Sequence, residues 1–181
     1  TWDITGMTTI TAQSGGTDYD VTLGGATDDF KGAVSITGAN VSIEDRNSIL
    51  LGAFDVSGTL SVTAGGAVTD SNSGELDIEG ITTISARGQN VTLDHAASDF
   101  EDDVKITGEN VAVTDVDGII LGESTVSGTY DITAAGGTVT DDGTLAITGV
   151  TTISASSHVT LDLATNNFVA AVGITGANVE V

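Results

Sequence analysis

The 181-residue sequence has no cysteine and no proline, seven aromatic residues and four bases. Without cysteine, neither a disulfide framework nor a thiolate metal site is available. Without proline, every residue keeps the backbone N–H that a β-ladder uses, and no strand is forced to a sheet edge. The four Lys and Arg residues stand against 26 Asp and Glu, a formal net charge of −22. Nucleic acid and an anionic membrane face would both repel such a chain, which excludes them as partners. Apolar runs extend over only a few residues, so no helical segment is long enough to span a bilayer and no membrane insertion is expected. The chain opens on "TWDITG", without an initiator methionine or a signal peptide, and reads as a mature or excised piece.

What is present is apolar and repetitive. Hydrophobic residues make up 39% of the chain and mean hydropathy is +0.21, values unlike those of a disordered acidic tail. Val, Ile, Leu and Ala supply most of that content, which predicts a narrow core of mainly β-branched side chains. "DDFKGAVSITGANVSI" (28–43) returns as "SDFEDDVKITGENVAV" (98–113) and as "NNFVAAVGITGANVEV" (166–181), with Phe30, Phe100 and Phe168 at matching places. "ITGMTTIT", "IEGITTIS" and "ITGVTTIS" recur in the same way. The chain is about two and a half copies of one unit, with repeats at approximately 1–74, 75–143 and 144–181, the last one incomplete, in a single segment 1–181. The first copy carries a short insertion within "QSGGTDYD", placed as a loop that projects from a regular body.

Within each unit apolar side chains fall on alternate positions, as in "VKITGENVAV". That period of two is the strand signal, and no stretch sustains a helical period. Gly, Asn, Asp and Ser punctuate the strands and supply the corners. A single strand-turn-strand coil cannot bury its inward face, whereas stacked coils bury a continuous one. The expectation is an all-β parallel β-helix, or β-solenoid, built from superrepeats of roughly 70 residues, each about three coils of roughly 23 residues. At about 4.8 Å per coil the rod would be on the order of 35–40 Å long. Ile10, Ile84 and Ile153 are expected in one inward column, and Phe30, Phe100 and Phe168 in another. The ends call for further coils of the same chain or for stacked identical subunits.

At "TLSVTAGGAVTD", "ITTIS…NVTLD…SDF" and "VKITGENVAVTD…GIILG" the chain resembles the repeats of giant bacterial surface adhesins of the filamentous-haemagglutinin type, over essentially its whole length. The resemblance implies a right-handed helix, export across the outer membrane, an extracellular or cell-surface location, and a non-catalytic role as stalk or adhesive fibre, with surface glycans or other cells as partners. The alternative is a carbohydrate-binding or carbohydrate-active β-helix protein.

Candidate chemistry is sparse. "GGTDYD" (15–20) is faintly similar to a calcium-binding glycine–aspartate nonapeptide, which makes Asp18 and Asp20 the candidate calcium ligands, with no other cofactor expected. Asp28 and Asp29 align with Ser98 and Asp99, then with Asn166 and Asn167, so those carboxylates are not a fixed ligand set. Asp70 and Asp141, each ending "VTD", do recur. The bases Lys31, Arg46, Arg87 and Lys105 are scattered over the sequence, and His95 and His158 have no fixed acid partner, so no catalytic residue is assigned. Ice binding would need Thr on consecutive coils, whereas the Thr pairs occur once per unit.

Overall fold

The computed structural model describes residues 1–181. It contains no helix, and every strand pairing is parallel except one. Sheet I is the stack Val21–Leu23, Val41–Asp45, Leu60–Ala64, Thr82–Ser85, Val104–Gly108, Ile119–Leu121, Val139–Asp141, Val159–Thr160 and Val179–Glu180. Sheet II is the stack Thr8–Thr11, Val34–Gly38, Ile49–Val56, Val68–Asp70, Val91–Leu93, Val111–Asp115, Tyr130–Ala134, Thr151–Ala155 and Val172–Thr175. The chain visits the two alternately, one strand of each per turn. From Val21 to Val179 sheet I climbs eight steps. The architecture is therefore the expected β-solenoid, and alternate residues of both sheets bury one continuous cluster of 39 apolar side chains.

The repeating unit does not close on itself. Val34 lies in sheet II and its equivalent Val104 in sheet I; Leu60 lies in sheet I and Tyr130 in sheet II. From Val34 the chain passes half a turn to Val41, then three full turns through Leu60 and Thr82 to Val104. Each unit thus makes three and a half turns rather than three, because one circuit is shorter than the expected coil. The expected columns of equivalent residues are corrected accordingly. Ile10 and Ile153 lie in sheet II, while Ile84 lies in sheet I between Val62 and Ile106. Phe100 pairs with Ile78 beside sheet II, Phe168 with Ile147 beside sheet I, and Phe30 with Ile4. Ile84 and Phe100 are both buried as expected; what differs is who stacks on whom.

The half-turn offset lets the two faces compensate each other. At equivalent positions the first unit has Phe54 and Leu60, the second Ser124 and Tyr130, all buried. A ring lost on one face is replaced by a ring from the other, as a core packed to constant density requires. Of each Thr pair, the first hydroxyl points inward (Thr8, Thr82, Thr151) and has no hydrogen-bond partner, while the second points out.

Corners are tight. A Cβ on Gly80 would lie 2.7 Å from the Gly58 carbonyl oxygen of the rung below, and Gly149 sits on Gly128 in the same way. The extra residues of the first copy form the one antiparallel pairing, Gln13–Ser14 with Thr17–Asp18, turned by Gly15 and Gly16 at positive φ (60° and 78°). Two consecutive positive-φ residues are what a two-residue hairpin turn needs. The hairpin lengthens the turn that runs from Thr8 to its ladder partner Val34.

Candidate functional site: acids at the corners

Most acids with a defined role accept hydrogen bonds from backbone where a ladder is interrupted. Asp45 is buried; one carboxylate oxygen accepts the Phe30 N–H (2.7 Å) and the other the Asn47 N–H (2.7 Å). Asp115, its equivalent in the second unit, accepts from Phe100 and Asp117 at 2.9 Å each. Position 28/98/166 explains why Asp, Ser and Asn interchange there. Asp28 accepts the Trp2 N–H (2.6 Å), Ser98 the Leu76 N–H (3.1 Å) and Asn166 the Leu145 N–H (2.9 Å). What recurs is an acceptor, not a charge. The "VTD" acids do the same work: Asp70 accepts from His95 N–H (2.9 Å) and Asp141 from Asp162 N–H (3.2 Å).

Asp18 lies on the second strand of the projecting hairpin and Asp20 just after it. Asp18 accepts from the Gln13 side chain (2.8 Å) and the Ser57 hydroxyl (2.9 Å), and Asp20 from the Asn40 side-chain amide (2.8 Å). No third acid is gathered with them. The histidines are apart: His95 Nδ1 accepts weakly from Ala97 N–H (3.4 Å), and His158 Nδ1 lies 2.8 Å from the Ser157 hydroxyl. The four bases are all ion-paired, and Lys31 and Arg46, on opposite sides of two intervening strands, converge on one acid. Arg46 is 2.7 Å and Lys31 3.8 Å from Asp29, and Lys31 is 2.6 Å from Asp3. Arg87 pairs with Glu44 (3.3 Å) and Lys105 with Asp103 (3.4 Å).

That convergence separates the units chemically. In the first, Asp3, Asp29 and Asp45 share a corner with Lys31 and Arg46. In the second, the same positions hold Asp77, Asp99 and Asp115, but Glu101 replaces Lys31, Val116 replaces Arg46 and Asp117 replaces Asn47. Carboxylate oxygens of Asp99, Asp115 and Asp117 lie within 4.8 Å of one another. Asp55, Asp77 and Asp99 also stack on successive rungs. In the third unit Ala146, Asn167 and Val169 stand where the second has Asp77, Asp99 and Glu101. The proton affinities follow. The Arg46 hydrogen bond holds the Asp29 carboxyl below its ordinary range, against the opposing effect of burial. Burial first, then Asp117 and Asp77, raises Asp99. Burial pushes Asp115 up to about 7, with Asp117 and Asp99 adding to it and its two backbone hydrogen bonds opposing. Neither Asp45 nor Asp115 stands out in the sequence; the signal was an Asp closing an alternating strand in both copies, "VSIED" and "VAVTD".

No curated protein and no solved structure matches the chain. A family model does, at residues 1–37, 38–107 and 108–175, without a gap between the matches. By its sequence, and in keeping with its uninterrupted solenoid, the chain belongs to the family of repeats of unknown function (DUF5649).

Proposed function

We propose that this chain is a non-catalytic length of shaft in a long extracellular bacterial adhesin or surface filament. The observation that carries the reading is the continuity of one core and two sheets through all nine rungs, across every unit boundary. Solenoids gain length by adding repeats, each contacting only its neighbours, which suits a stalk. The polar groups fit that role: the buried and corner acids hold backbone N–H groups and each base is held in an ion pair. Partners on this reading are further coils or stacked identical subunits along the axis, and surface glycans or other cells at its outer surface. Electron microscopy of the parent protein is the test. A thin rod lengthening by about 17 Å per unit is expected, from three and a half turns of about 4.8 Å. A compact globular particle overturns the proposal.

A further inference from the structure

The corner of the second unit differs from that of the first in one respect that has a mechanical consequence. Both hold a rung in place through a buried aspartate that grips the backbone of the preceding strand, Asp45 on Phe30 and Asp115 on Phe100. Both aspartates also close the turn that follows, through Asn47 and Asp117. The first grip lies beside two cations. The second lies among acids only.

The charged groups facing Asp115 are Asp117 on its own turn and Asp99 on the rung below; beyond them, Asp77 acts on Asp99, and Glu101 lies among Asp99, Glu79 and Asp77. The rung above places Ala134, Ala135 and Gly136 against it and adds no charge. We propose that this corner is a proton-operated joint: it holds Phe100 while the buried carboxyl is protonated, and loosens when that proton leaves, while the Asp45 corner stays closed.

The sign follows from linkage. A carboxyl whose folded-state pKa lies above its unfolded value binds its proton more tightly in the closed corner. The closed state is therefore favoured fully below about pH 4, the ordinary aspartate range. It loses that advantage as pH rises toward 7, the folded value for Asp115. A protonated carboxyl keeps a carbonyl oxygen for one N–H, and ionisation strengthens acceptance; what is lost is tolerance for a third uncompensated charge within 4.8 Å. The arrangement makes one point along the rod responsive to pH near neutrality and leaves the neighbouring unit rigid.

Amide hydrogen exchange on the 181-residue chain, corrected for intrinsic rates and held at constant ionic strength with EDTA, tests this with an internal control. Protection of the Phe100 amide should fall about tenfold or more between about pH 5 and 8.5 relative to Phe30; a rise from the ordinary aspartate range to about 7 permits up to roughly a thousandfold. Asp115→Asn should remove the pH dependence. The triple variant Glu101→Lys, Val116→Arg and Asp117→Asn, which rebuilds the first unit's charges, should make Phe100 behave as Phe30 does. The proposal is overturned if the Phe100 and Phe30 amides keep a constant ratio across that range in the wild-type chain, or if Asp115→Asn retains the wild-type dependence.

Discussion

Thr82 is fully buried between Leu60 and Val104, and its hydroxyl meets no acceptor or donor. A buried polar group left unpaired costs about 1–3 kcal/mol. Valine has nearly the same shape without the hydroxyl, so Thr82→Val should raise stability by about 1 kcal/mol in denaturant unfolding; a loss of stability would mean that the hydroxyl is satisfied in solution. Phe100 behaves oppositely. It is buried in the core with its N–H held by Asp115, and Phe100→Ala should cost about 3–5 kcal/mol, the range for removing a ring from a packed interior. A shift below about 0.5 kcal/mol would show that the ring does not pack inward. Tyr130 illustrates a third case: burial raises its phenol's proton affinity, with the Ser124 side chain acting against it, and its OH makes no hydrogen bond of ordinary geometry.

At the scale of strand and corner, the rungs are held at ladder distance only where nothing protrudes between them. Gly80 over Gly58 is such a place, with the substituted Cβ 2.7 Å from a carbonyl oxygen. Backbone cannot rotate away as a side chain can, so Gly80→Ala should destabilise by about 1–3 kcal/mol, the cost of overpacking. Gly6→Ala, whose Cβ meets open space, serves as the control measured by the same thermal melt. Equal effects of the two would place the strain elsewhere. The hairpin at residues 13–18 belongs to the same scale, since a length change is absorbed outside the ladders and the next rungs, Val21 on Val41, resume the ordinary turn.

For the whole molecule, 26 acids and four bases are wound into a rod in which like charges recur from rung to rung, as in Asp55, Asp77 and Asp99. Each such contact opposes stacking by roughly 1 kcal/mol even in bulk water. Screening shortens the reach of that repulsion from about 30 Å at 0.01 M salt to about 10 Å at 0.1 M. Thermal stability should therefore rise with sodium chloride. A gain of about 2 kcal/mol corresponds to about 4–8 °C in a chain of this size. A melting temperature unchanged between about 0.01 and 0.5 M would show that the charges are already compensated.

Alternation, copy number and fold class were legible in the chain because each depends on residues close together or on plain recurrence: a period of two marks strands, and the return of whole phrases marks copies. The inward burial of Ile84 and Phe100 follows from the same local pattern. The stacking phase was not legible. It depends on how many residues one circuit takes, which the corners set through a glycine contact, an aspartate grip and an extra residue between Leu51 and Phe54 against Val34 and Ile36. A circuit that does not divide the repeat evenly leaves three and a half turns per unit, and that half turn sends equivalent side chains to opposite faces. The same dependence governs charge. Lys31 and Arg46 look scattered along the chain, and only the winding brings both to Asp29. Asp115 carries an unremarkable side chain in an alternating run; its burial among acids is decided by the rungs below it, because burial and Coulomb energy depend on distance in space.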